Sequence, residues 1–115
     1  MGLRDPKLTW FLTYPQTKDT PETLLSNLSD VDEIREYVIA QELHQDGNTH
    51  LHAYVKFKKG VILKDAPVSF NVLSKTGNYQ PTRSCKAVIL YCTKGGAYLS
   101  NIDIDKYKAK KGKVT

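Results

Sequence analysis

The sequence predicts an α+β domain, and three observations carry that reading. Two strand-like runs, REYVIAQELH (35–44) and THLHAYVKFK (49–58), flank a turn containing Asp46-Gly47 and read as a hairpin. A third β-rich run, LTWFLTYP (8–15), ends at a proline. Two further segments, 20–31 and 83–96, space their apolar residues as helices do.

Each element has its own warrant. In 8–15, Trp10, Leu12 and Tyr14 share one face, and Thr9, Phe11 and Thr13 the other. In the first helix Thr20 is the N-cap, Pro21 takes the first helical position and Glu22 the first turn, with an apolar stripe of Leu24, Leu25, Leu28 and Val31. In 49–58, Leu51, Ala53, Val55 and Phe57 face a core, while His50, His52, Tyr54, Lys56 and Lys58 face the other way and make a polar, basic and aromatic surface. From 60 to 83 the pattern breaks into short pieces, VIL, VSFNVL and NYQP, divided by Pro67, Gly77 and Pro81, which read as short strands in long loops. The last helix, RSCKAVILYCTKGG (83–96), is capped by Thr82 or Ser84, stopped by Gly95-Gly96, and striped by Cys85, Val88, Ile89 and Cys92.

Composition bounds the function. A chain of 115 residues supports one domain, here 1–105, followed by a basic tail or linker at 106–115. Its apolar runs are far shorter than the roughly 20 residues of a membrane span, and MGLRDPK lacks a signal-peptide core, so an intracellular, non-secreted protein is expected. Cys85 and Cys92 are too few for a disulfide scaffold and read as reduced core residues. Seventeen basic residues against twelve acidic ones, a net charge of +5, favour a polyanionic partner. The tail KYKAKKGK (106–113) has two readings, a solvated linker or a phosphate-contacting or nuclear-targeting segment.

His50 and His52 on one strand face are either surface residues or two metal ligands. The second reading needs a carboxylate beside them, and Glu42 on the partner strand is the candidate. Parity tests it: facing residues of an antiparallel pair have a constant index sum, and Glu42 reaches the histidine face only if that sum is even. A two-residue Asp46-Gly47 turn gives an odd sum. A three-residue loop, 45–47, with Gly47 left-handed, sets Glu42 across from His50. His44 is a possible extra ligand. An open divalent ion beside a basic face suggests phosphodiester chemistry, which calls for a nucleophile. Tyr91 and Lys94, three apart on the last helix, share a face turned away from Cys92. Such a tyrosine either packs at the core edge or points into a cleft as a nucleophile helped by the neighbouring ammonium.

Together, FLTYPQ (11–16), HLH (50–52) and YCTK (91–94), in that order, resemble the three motifs of the replication initiator (Rep) endonuclease domain of circular single-stranded DNA viruses, in the HUH superfamily, the first in its geminivirus form. The resemblance spans residues 8 to about 100. It implies a central antiparallel sheet of about five strands flanked by helices, with the topology of RNA-recognition folds. It implies that Glu42, His50 and His52 bind Mn²⁺ or Mg²⁺. Tyr91 would attack the scissile phosphate at an origin stem-loop, giving a 5′-phosphotyrosine and a 3′-hydroxyl that primes rolling-circle replication, with Lys94 assisting. It further implies action in a host nucleus, and a longer protein whose oligomerisation segment and helicase domain lie outside these residues. VSFNVLSKTGNYQP corresponds only approximately to a further geminivirus segment.

Lysines along a backbone and aromatics under bases hold single-stranded DNA. The candidates for such contacts are Tyr14, Tyr54, Lys56, Lys58, Tyr79, Arg83 and Lys86, with Trp10 and Phe57 assigned to packing. Three alternatives stay open: a transposase or relaxase of the same superfamily, a non-catalytic nucleic-acid-binding module, and a small metal-dependent oxygenase, which would need more strands than this chain shows.

Overall fold

A computed structural model describes residues 5–43, 45, 47–74 and 76–108. Among them, five strands form one antiparallel sheet: β1 Pro6–Tyr14, β2 Ile34–Leu43, β3 Thr49–Ile62, β4 Asn78–Pro81 and β5 Tyr98–Ser100, in the spatial order β4-β1-β3-β2-β5. Helices α1 (Pro21–Ser29) and α2 (Ala66–Ser69) lie on one face, α3 (Cys85–Thr93) on the other, and α4 (Asp105–Lys108) beside α3. No described helix is long and apolar enough to cross a membrane.

The larger core follows from strand alternation. Trp10, Leu12 and Tyr14 of β1 and Leu51, Ala53, Val55 and Phe57 of β3 meet on one face, where Leu24 and Leu28 of α1 cover them together with Phe70. The Thr20 side chain accepts a hydrogen bond from the Thr23 N–H, and Pro21 opens the helix, as the sequence predicts. Tyr14 belongs wholly to this core. Its ring is buried and its hydroxyl donates to the Phe70 carbonyl at 2.7 Å, so it offers no surface to DNA. Burial pushes its phenol well above the ordinary tyrosine range.

Between residues 60 and 83 the structure departs from expectation. VIL is not a separate strand: β3 runs on through Gly60, whose φ of 95° suits glycine, to Ile62. The Asp32 carboxylate fastens this irregularity by accepting from the Lys59 and Gly60 N–H groups at 2.8 and 3.0 Å. VSFNVL is not a strand either. A 3₁₀ turn at Leu63–Asp65 leads into α2, in which Pro67 sits at the helix start and buries Ala66 and Phe70 four residues apart, leaving Val68 exposed. That spacing is helical, and Pro67 suits a first turn better than a strand interior. NYQP does form a strand, pairing Tyr79 with Leu12 of β1. The short β5 and α4 have no counterpart in the sequence reading. Tyr107 of α4 packs with Ile104 against the cluster under α3, so the packed fold continues past residue 105, and the remaining tail from 109 lies outside the described residues.

Two predictions follow from this framework. A Cβ at Gly77 would fall 2.0 Å from the Thr13 carbonyl oxygen, whereas one at Gly95 meets nothing within 4 Å. Gly77→Ala should therefore destabilise by about 1–3 kcal/mol or more in urea denaturation, and Gly95→Ala should not. Asp32 gives a pH dependence. Partial burial works against its charge, but the Lys59, Gly60 and Glu33 N–H groups and the Lys59 ammonium outweigh it and hold the carboxyl below its ordinary 3.8. A depressed folded-state pKa gives stability that is present above about pH 4 and lost as pH falls through the lower folded value. Melting temperatures between pH 6 and 2 should drop less steeply in Asp32→Asn than in the parent.

Candidate active site

The site begins with the register of β2 against β3. Leu43 pairs with Thr49, Glu42 with His50 and Ala40 with His52, so the index sum is 92, the even value that puts Glu42 on the histidine face. Among the described residues the last pair of this ladder is Leu43 with Thr49, and Gly47, beyond it, has φ 89°. Residues 44 and 46 lie outside the described set, and His44 as an extra ligand with them. The hairpin's end is anchored to the segment after β1: the Thr17 N–H donates to the Thr49 carbonyl at 2.9 Å, and the Thr49 hydroxyl donates to the Thr17 carbonyl.

Glu42 reaches diagonally across the ladder, its Oε1 lying 3.0 Å from His52 Nε2. The carboxylate is partly exposed and the imidazole almost buried. The His50 ring stands 6.4 Å from the His52 ring, centroid to centroid. Two imidazoles and a carboxylate are a donor set that a divalent transition-metal ion can use. Among the described residues, no three His, Cys, Asp or Glu side chains already enclose a cation-sized point, and Glu42 and His52 bond to each other instead.

Helix α3 brings the phenol. Ser84 caps it by accepting from the Ala87 N–H at 3.1 Å, which decides between the two predicted caps. Its Ile89 and Cys92 pack on Val38, Ala40 and Tyr54 of the sheet. Tyr91, one residue before Cys92, is thereby turned outward, 40% exposed. Its ring meets His52 edge-on at 5.3 Å and Phe11 edge-on at 5.7 Å, and the Lys94 ammonium sits over it, 4.2 Å from the centroid. Glu42, His52, Tyr91 and Lys94 line one cavity of about 290 Å³, completed by Ala40, Gln41, Leu43, Cys92, Gly95 and Ala97. Burial pushes the Cys92 thiol up to about 12, so this neighbour of the phenol stays protonated.

The predicted DNA-contact residues divide. Tyr54 shares the histidine parity but lies buried beneath α3, its hydroxyl donating to Glu36 Oε1 at 2.8 Å. Burial, then the Glu36 carboxylate, hold its phenol far above the usual range. It is a structural residue. The expectation of an open polar face fails because the apolar stripe of α3 needs an apolar bed, and Val38 and Ala40 provide it. Tyr79 turns to the opposite face, its ring half-buried against Tyr14 and Phe70. Lys56 and Lys58 line a separate groove with Leu8, Arg35, Glu36 and Phe57, where Lys58 pairs with Glu33 at 3.7 Å. Arg83 and Lys86 are exposed at the start of α3, and Arg83 lines a groove with Phe11. Phe11, Gln41, Leu43 and Ala97 went unassigned in the sequence, although Phe11 has the parity of the histidine face.

A family model described as the geminivirus Rep catalytic domain matches residues 4–108. The chain belongs to that family. Curated Rep relatives agree. The replication-associated protein A of tobacco yellow dwarf virus (strain Australia) is 32% identical over 108 residues, 90% of this chain and 36% of the relative. The replication-associated protein of bean yellow dwarf virus is 33% identical over 103 residues, 85% of this chain and 30% of the relative. Replication-associated protein A of maize streak virus genotype E (isolate Pat) is 36% identical over 89 residues, 73% of this chain and 32% of the relative. This Rep domain thus spans about a third of the length of these relatives.

The buried position of Tyr54 in the Rep domain generates a test. Tyr54→Phe removes one hydrogen bond to a carboxylate and should lower stability by about 1 kcal/mol in a denaturant titration.

Proposed function

We propose that this domain nicks and rejoins single-stranded DNA at a replication-origin stem-loop, starting rolling-circle replication through a tyrosine-linked intermediate. The observation that carries the reading is the meeting of three groups in one cleft: the Tyr91 ring 5.3 Å from that of His52, and Glu42 Oε1 3.0 Å from His52 Nε2. Membership of a catalytic-domain family supports it.

In this scheme the Tyr91 Oη attacks the scissile phosphorus. A P–O bond to the phenol forms as the bond to the 3′ oxygen breaks, giving a 5′-phosphotyrosine and a free 3′-hydroxyl. The phenol gives up its proton and the leaving oxygen gains one. Because one phosphodiester replaces another, a 3′-hydroxyl can reverse the step and rejoin the strand without ATP. Lys94 holds positive charge against the Tyr91 ring, inside the cleft where an incoming phosphate would meet it. Glu42, His50 and His52 would hold Mn²⁺ or Mg²⁺, which when bound supplies positive charge to the phosphate oxygens. Arg83, which lines a groove with Phe11, and Lys86 are exposed cations in reach of solvent, which supports their sequence-derived role as contacts to the DNA backbone. A host-nuclear location and a helicase-bearing full-length protein belong to the same proposal.

The test is incubation with a single-stranded oligonucleotide carrying the origin stem-loop of its own replicon, with Mn²⁺. A covalent protein–DNA band should appear on a denaturing gel, vanish with EDTA, and fall at least a hundredfold in Tyr91→Phe and in the double variant His50→Ala/His52→Ala. Persistence of the band in Tyr91→Phe would remove the nucleophile assignment. Tight binding with no band from the parent would make the domain a binding module.

A further inference from the structure

The geometry points to Phe11 as the residue that positions the Tyr91 ring against His52, an inference that rests on the nuclease reading above. Three aromatic rings touch one another in turn. Phe11 meets Tyr91 edge-on, centroids 5.7 Å apart and planes at 80°, and lies nearly parallel to His52 at 6.3 Å and 22°. His52 in turn meets Tyr91 at 5.3 Å and 88°. Phe11 thus contacts both the proposed nucleophile and a proposed metal ligand while being neither itself.

Its mounting suits that role. Phe11 sits mid-strand in β1, paired with Tyr54 of β3 on one side and Gln80 of β4 on the other, so its backbone is held from both edges. Tyr91 is mounted less firmly. It projects from the last turn of a nine-residue helix and is 40% exposed, so the burial of its ring does not by itself confine it to one staggered χ1 well. The edge-on contacts from Phe11 and His52, with Lys94 over one face, favour the placement seen. A phenol displaced by about 1 Å at the moment of attack costs on the order of a hundredfold in rate, so a ring that removes the alternative placement acts on turnover and not on DNA affinity.

The competing explanation is plain packing, since Phe11 also joins the cluster beneath α3. Two measurements on Phe11→Leu and Phe11→Tyr separate the roles. In single-turnover cleavage of the origin oligonucleotide with Mn²⁺, Phe11→Leu should lower the maximal rate by about tenfold to a hundredfold while the half-saturating DNA concentration stays unchanged, and Phe11→Tyr, which keeps the ring, should recover most of that loss. In metal-free, DNA-free protein, the aromatic resonances of Tyr91, assigned by their loss in Tyr91→Phe, should move in Phe11→Leu towards those of a solvent-exposed tyrosine. Parent-like cleavage by Phe11→Leu overturns the inference. So does a joint loss of rate, DNA affinity and melting temperature that Phe11→Tyr fails to repair. If the parent itself does not cleave, the nuclease reading has failed separately, and unmoved Tyr91 resonances in Phe11→Leu would still overturn the positioning role.

Discussion

The pairing of β2 with β3 at an index sum of 92 is the constraint on which the site depends. Side chains alternate across a sheet, so a slip of one residue would send Glu42 to the α1 face and strand both histidines without a carboxylate. What holds the register is spread over the hairpin. Gly47 at φ 89° permits an odd-length connection, and the reciprocal bonds between Thr17 and Thr49 secure the near end. At the far end the register shifts between Ile34 and Glu36, six residues or more from Glu42, and leaves the Glu42 pairing undisturbed.

The second requirement is that α3 sit at one height and rotation above this ladder. Ile89 and Cys92 settle on Val38, Ala40 and Tyr54, and the phenol of Tyr54 is satisfied by Glu36 in place of water. Once those contacts fix the helix, the roughly 100° step from Cys92 to its neighbour determines where Tyr91 points. Packing and the proposed chemistry are thus coupled through adjacent positions: the thiol that anchors the last turn stands beside the proposed nucleophile, and its burial keeps it protonated.

Much of this was legible in the sequence because it rests on periods of two and 3.6. The hairpin, the parity of Glu42 and the histidines, the Thr20 cap and the shared face of Tyr91 and Lys94 are all local rules applied to quoted residues. The same rule should have withheld Tyr14 from the DNA contacts, since it alternates with Trp10 and Leu12. Tyr54 was beyond such a rule. Whether a strand face is open or covered depends on where a distant helix docks, and the cue was indirect: Val38-Ile39-Ala40 is apolar on both parities, as in a strand covered from both sides. VSFNVL misled because β-branched content outweighed the i, i+4 relation of Ala66 and Phe70. Strand β5, three residues long, carries too little pattern to be seen without its partner β2.

The sheet's outermost strands are its shortest, four residues in β4 and three in β5, and they cover the middle of the longer β1 and β2, at Trp10–Thr13 and Val38–Ala40. Unsatisfied backbone at a sheet margin is what lets separate polypeptides zip together, and here that margin is cut to a few residues, with Pro81 closing β4. Strand addition between copies of the domain accordingly has few backbone positions at which to begin.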